Sequence, residues 1–264
     1  AMDEGGYPKE WVEAVEAYLA MTMDRLLDRC CTLCTTDPSP TQSGVMHMFC
    51  RFALPMTWDF IEGVTTAGAS GGFSGALEWV AKVAEHLGSL PVTSLPAIAR
   101  ASATVARPQE YDLVLTDPPY YDAIGYAVLM DFFYVWLRRV VNGLSPDVDA
   151  AMADATCPKW NADTNDGELV DDAARHEGDA AKSKAVYEEG MYKAFRSGYE
   201  SLKPDGRFVI VFAHKHPDAW ETLVSAIVRA GFVVDASWPI QTERAARTRS
   251  LSSSALSSSV WLVC

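Results

Sequence analysis

The stretch Tyr111-Asp112-Leu113-Val114-Leu115-Thr116-Asp117-Pro118-Pro119-Tyr120 restricts the fold of this chain more than any other. Leu113, Val114 and Leu115 form an apolar run long enough for one buried strand and too short for a helix. The run stops at an acid and two prolines. Neither proline can donate to a sheet ladder and each restricts the residue before it, so the chain leaves the sheet at Asp117. That puts a carboxylate and a stiff, outward-facing backbone at the carboxyl end of a strand, where open α/β sheets bind ligands. Asp-Pro-Pro on its own also makes ordinary turns. The strand before it and the aromatic after it favour a catalytic reading.

The motif resembles the Asp-Pro-Pro-Tyr signature of S-adenosylmethionine-dependent amino-methyltransferases, above all the DNA adenine-N6 and cytosine-N4 enzymes. An exocyclic amine is a poor nucleophile because its lone pair is delocalised into the ring. The resemblance implies that the Asp117 carboxylate and the Pro118 carbonyl accept the two amino hydrogens and draw the nitrogen towards sp3. Pro119 fixes the backbone, and Tyr120 stacks on a base taken out of its helix. Asp117 to Ile124 followed by Asp131-Phe132-Phe133-Tyr134-Val135-Trp136-Leu137, and Leu202 to Gly206 running into Val211-Phe212-Ala213-His214-Lys215, narrow it. With Ala236 to Ile240, Val260 to Cys264, Ala53 to Phe60 and Ala76 to Val80, they resemble the carboxyl-terminal part of large adenine-specific DNA methylases whose amino-terminal domain is of the DUF1156 type. Tyr121 and Tyr126, nearest to Asp117, are the candidates for holding the flipped base.

Composition qualifies that expectation. With 264 residues, of which 49% are hydrophobic, the chain can bury a substantial core. No apolar run approaches the roughly 20 residues of a membrane span, and the polar, acidic start does not read as a signal peptide. The net charge of −13 is awkward for a nucleic-acid partner, whose phosphates are normally met by Lys and Arg. Acid concentrates at 147–179, which allows it to lie away from DNA, or the whole surface is adapted to high salt. Six cysteines without a paired pattern point to a reducing cytoplasm. Cys31-x2-Cys34 and His47-x2-Cys50 have the ligand types and spacing of a small zinc site, though Cys31 and Cys50 serve equally as small buried hydrophobes.

Along the chain, the periodicity predicts an amphipathic helix over 7–29 with Trp11, Val15, Tyr18, Leu19, Met23, Leu26 and Leu27 on its apolar face. A second helical region is expected over 43–62, its Met and aromatic residues in the core. The glycine-rich segment 67–75 leads into a helix at Ala76–Leu87. Gly72 and Ser74 there can present backbone N–H groups to an anion, although no strand precedes them. Residues 90–110 are a poorly patterned connection. Where related methyltransferases often carry an acid facing the cofactor adenine, this chain has Ala101-Ser102-Ala103, leaving Ser102 as the polar contact.

A helix over 126–141 should bury Tyr126, Met130, Phe133, Leu137 and Val140. The acidic stretch 143–182 reads as a mobile excursion, either contacting the target or simply solvated. A helix over 183–202 should bury Tyr187, Met191, Phe195 and Leu202. A turn at 203–206, a buried strand 208–212, a helix 220–230 closed by Gly231, a strand 232–238 and a last strand 259–263 complete the chain. Arg244 and Arg247, in the loop before that strand, are the local candidates for phosphate contact.

These readings give an α/β, Rossmann-like methyltransferase fold, incomplete, holding the strand 4–7 half of the sheet. A helical region 1–66 precedes a catalytic half-domain 67–264. No strand followed by a Gly-x-Gly loop is found. The resemblance therefore implies that a cofactor-binding segment lies upstream or on a companion subunit. The expected activity is methyl transfer from S-adenosylmethionine to adenine N6 in DNA, with no metal in the reaction. Another amine (cytosine N4, an RNA base, a glutamine side chain) or a non-catalytic recognition or assembly role stays open.

Overall fold

A computed structural model describes residues 2, 4–36, 44–49, 54, 56–68, 71–107, 110–122, 124–161, 163–164, 166–240 and 259–264. The protein is mixed α/β and divides into two compact units, 1–100 with 127–157, and 101–126 with 158–264. The division differs from the expected boundary at 66/67, because β1 and the described residues after 157 belong to the unit that holds the sheet.

In the first unit, α1 (Lys9–Leu27) packs on α2 (Phe73–Ser89), which begins three residues earlier than its apolar pattern indicated. The buried side of α1 is Val12, Ala20 and Thr22, and the expected anchors Trp11, Tyr18 and Leu19 are exposed. Small side chains let the two helices approach: Ala20 on α1 and Ala76 on α2 are both buried. Thr22 satisfies its buried hydroxyl by donating to the Tyr18 carbonyl, 2.8 Å away.

The described residues of 43–62 form no helix. Their amides bond back to the 28–36 segment, Met46 N–H to Thr35 O and Met48 N–H to Asp28 O, and not to the fourth residue before. Met48 is buried, whereas Met56 and Trp58 are 98% and 92% exposed, so the expected core stripe is not formed.

Asp24 on α1 has one carboxylate oxygen buried without a hydrogen-bond partner among the described residues, and burial pushes its carboxyl up from 3.8 to about 6. A raised folded value favours the neutral form. The contribution is therefore present below about pH 4 and lost as the pH rises through 6. Asp24→Asn should leave the melting temperature nearly unchanged at pH 4 and raise it at pH 7.5. An equal response at both values would show that the carboxylate is solvated.

Helix α3 (Tyr126–Val140) carries Phe132 and Phe133, which pack edge-on 5.2 Å apart and against Phe49. Its buried residues are Ala127 and Tyr134, followed by Val141, in place of Met130 and Val140, which are exposed. A short α4 (Pro146–Ala151) follows, capped by the Ser145 hydroxyl accepting from Val148 N–H.

The second unit is a four-stranded mixed sheet in the order β1-β2-β4-β3, with β1 (Tyr111–Thr116), β2 (Leu202–Phe212), β3 (Ala236–Ile240) and β4 (Ser259–Val263). β1 runs parallel to β2, and β4 lies antiparallel between β2 and β3. The turn expected at 203–206 survives as an irregularity inside β2, where pairing jumps from Leu202 opposite Tyr111 to Arg207 opposite Leu113. Phe208, Ile210 and Phe212 alternate onto one face of β2 and meet α5 (Ala180–Ser201) and α6 (Pro217–Ala230) through Met191, Phe195, Leu223 and Ile227. Gly231 closes α6 at φ 104°, a conformation that favours glycine.

The 143–182 excursion contributes to both units. Within the second, Leu169 and Val170 are buried, so this part is not solvated surface. Leu169 reaches α5 where Gly190 stands, and a Cβ there would come within 2.5 Å of it. Among the described residues no helix is long and apolar enough to cross a membrane.

Candidate functional site

The loop that leaves β1 holds Asp117-Pro118-Pro119-Tyr120 at the carboxyl end of a parallel strand. Asp117 is exposed, and Tyr120 donates its hydroxyl to Asp117 Oδ1 at 2.7 Å. The Tyr120 ring lies edge-on to Phe212 at 5.5 Å. Among the described residues nothing hydrogen-bonds to the Pro118 carbonyl, so that acceptor remains available beside the carboxylate.

Beyond Pro119 the chain bends sharply. Tyr121 takes φ 56°, an uncommon value for a residue with a side chain. Its N–H is shared between the Pro119 carbonyl at 3.0 Å and the Tyr187 hydroxyl at 3.1 Å, and that hydroxyl in turn donates to the Pro119 carbonyl at 2.7 Å. The next turn is held from β2. His216 N–H donates to Nδ1 of His214, which leaves Nε2 carrying the proton and donating to the Asp122 carboxylate at 3.0 Å.

A cavity of about 580 Å³ opens beside this loop, between β1, β2 and α5. Its wall takes in Asp117, Pro118 and Pro119 from the loop, Ser102 and Thr104 from the preceding connection, and Phe195 and Phe208 from the core. Asp166 and Glu168, from the excursion, also line it. Volume and mixed lining are those of a site for a ligand of cofactor size. Ser102, expected near the cofactor, is thus brought to the same cavity as Asp117, and its hydroxyl pairs with that of Thr104 at 2.9 Å.

Glu168 is anchored by Arg175, whose guanidinium reaches Oε2 at 2.8 Å and the Glu168 carbonyl at 3.4 Å. The two side chains are 10% and 18% exposed. Arg175→Met should remove the ion pair from that largely buried carboxylate and cost roughly 3 kcal/mol, measured by urea denaturation. A loss under about 0.5 kcal/mol, the range of ordinary surface substitutions, would mean that water replaces the arginine.

No protein-family model matches this chain, and comparison with curated proteins and with solved structures finds no match.

The other expected positions divide. Tyr126 lies near the loop: burial, then the charges of Asp117 and Glu168, hold its hydroxyl above the ordinary tyrosine value. Tyr121, expected to hold a substrate, is instead a core residue, 9% exposed and edge-on to both Tyr187 and His214. Burial and a hydrogen bond to Asp171 keep its hydroxyl protonated. Gly72 and Ser74 sit at the start of α2 in the first unit and are not among the residues lining the cavity.

Arg244, Arg247 and Cys50 lie outside the described residues. Cys31 and Cys34 have their sulfurs 3.6 Å apart, and His47 Nδ1 faces the Asp28 carboxylate at 2.7 Å. Among the described residues no group of three His, Cys, Asp or Glu is arranged to hold a metal ion. Burial pushes the Cys34 thiol up to about 11.

Sequence reasoning gave no site role to Tyr187, His214, Asp122, Asp166, Glu168 or Arg175. Tyr187 carried the strongest usable signal, as the one phenol on an otherwise apolar helix face. The acids of the excursion were indistinguishable from its solvated ones.

Proposed function

We propose that this protein is part of an S-adenosylmethionine-dependent methyltransferase acting on an exocyclic amine, adenine N6 in DNA. The observation that carries the reading is the cavity at the carboxyl end of β1, where the Asp117 carboxylate and the Pro118 carbonyl stand as neighbouring acceptors beside Ser102. The topology lends support: two parallel strands followed by an antiparallel pair, with the last strand inserted between the others, is compatible with the strand 4–7 half of a Rossmann-like methyltransferase sheet.

The residues present suit the cofactor. Phe195 and Phe208 offer apolar walls to a purine ring, and Asp117, Asp166 and Glu168 surround the cavity with negative charge, which favours a cationic sulfonium. When bound, the sulfonium supplies an already activated methyl group. The chain's own residues do the rest. Asp117 and the Pro118 carbonyl accept the amino hydrogens and localise the nitrogen lone pair, and Asp117 is the acceptor for the proton released as the amine is alkylated. Tyr120 must give up its bond to Asp117 to offer its ring to a base, so in this role it covers Asp117 until the substrate arrives.

Partners follow from the same geometry. DNA is the proposed acceptor, with the net charge of −13 confining contact to local patches. β1 ends the sheet on one side, and its Leu113 and Leu115 are each 56% exposed. A strand with apolar residues on both faces belongs inside a parallel sheet. This supports a further segment or companion chain pairing with β1 and completing the cofactor site.

The test is transfer of labelled methyl from S-adenosylmethionine to unmethylated DNA, with hydrolysis and identification of the methylated nucleoside. N6-methyladenine is the expected product. Label appearing only in RNA, in cytosine or in protein would replace DNA adenine as the acceptor. Labelling absent even with the companion segment supplied would overturn the reading.

A further inference from the structure

We infer that Tyr187 is a positioning residue, whose hydroxyl sets the backbone path of the Asp117–Tyr121 turn; the inference rests on the site proposed above. Tyr187 lies on α5, 66 residues beyond Tyr121, and is 1% exposed. Its hydroxyl does two things at once on the backbone of the turn, donating to the Pro119 carbonyl at 2.7 Å and accepting from Tyr121 N–H at 3.1 Å. Those two groups flank Tyr120. The pair of bonds therefore fixes the peptide units on both sides of the residue that touches Asp117.

The turn needs such a restraint. Tyr121 is held at φ 56°, a strained value for a residue with a Cβ, which persists only where the surroundings impose it. The neighbouring contacts all act on the same short segment. Tyr121 and Tyr187 meet edge-on at 5.3 Å, and Asp171 N–H donates to the Tyr121 carbonyl at 3.2 Å. Tyr187 links the turn directly to a helix that is itself anchored in the core through Met191 and Phe195. Burial holds its hydroxyl above the ordinary tyrosine value, so the donor is present at neutral pH.

A residue that merely filled space would act through its ring. A positioning residue acts through its hydroxyl, and Tyr187→Phe separates the two. The readout is the 13C resonance of the Asp117 carboxyl and of the Tyr120 ring carbon bearing oxygen, in the full chain, with the methyl resonances of Ile210, Leu223 and Ile227 as the reference for the core. In Tyr187→Phe the first two should shift and broaden while the core methyls keep their positions. In the labelled-methyl assay, turnover should fall by about 10- to 100-fold with the KM for S-adenosylmethionine unchanged.

Asp117 and Tyr120 resonances that stay at their wild-type positions would overturn the inference. Should Tyr187→Phe fail to fold, 3-fluorotyrosine at position 187 adds one small atom to the ring and makes the hydroxyl a stronger donor and weaker acceptor, and turn resonances that ignore that replacement are equally fatal. The resonance measurement needs no turnover. A wild-type chain that transfers no methyl group to any acceptor defeats the methyltransferase reading and leaves this measurement decisive for Tyr187.

Discussion

Asp117→Ala should reduce methyl transfer by at least about 10³-fold, on the scale seen when a preorganised polar group at the reacting centre is removed. The fold should hardly notice. Asp117 is exposed, lies outside the core cluster and accepts a hydrogen bond from the Tyr120 hydroxyl. The expected change in stability is therefore that of an ordinary surface substitution, within about 0.5 kcal/mol. Asp117→Asn is the sharper version, since the amide keeps one acceptor oxygen but takes no proton. Measuring label transfer and urea denaturation on the same preparations separates the outcomes. Near-wild-type turnover in either variant would remove Asp117 from the reaction, and loss of activity with loss of folding would make it a structural residue.

Phe208→Ala should produce the largest loss of stability, about 4 kcal/mol. Phe208 is 1% exposed, stacks on Phe232 at 4.6 Å with 12° between the rings, and meets Phe195 edge-on at 5.6 Å. The backbone has adapted to it: a Cβ on Gly198 of α5 would stand 2.6 Å from its ring. Truncation removes the shared wall between the core and the cavity, so the space left cannot close without moving α5. The measurement is the denaturation midpoint of the second unit, followed by Trp220, which packs on Phe212 in that unit. A loss under about 1 kcal/mol would mean that α5 collapses onto the sheet, and then the cavity itself is not a fixed feature.

Elements whose signals are local were legible in the sequence. The apolar run before Asp117 is β1, the glycine at 231 closes α6, and Tyr187, Met191 and Phe195 face inward from α5. The failures share a cause, which is that periodicity reports an apolar stripe but not what covers it. α1 turned the small residues Ala20 and Thr22 inward and left Trp11 and Tyr18 out, and its neighbour α2 likewise buries a small residue, Ala76. The aromatics near Trp58 had no helix to organise them, since the nearby amides bond to residues far back in the chain. In the site, Asp117 and Pro118 were readable because proline chemistry is local. Tyr121 was misread, since its burial depends on Tyr187 and His214, which are 66 and 93 positions away. The acids at 166 and 168 join the cavity only because Leu169 is drawn under α5.

The same strand that delivers Asp117 lies at one margin of the sheet. A partner strand that slipped by one residue would reverse which of Leu113 and Val114 it covers and re-aim the turn that follows. On the proposed reading, in which a companion strand completes the site, assembly and alignment of the acceptors would be a single event, and a mispaired complex would be assembled yet inert.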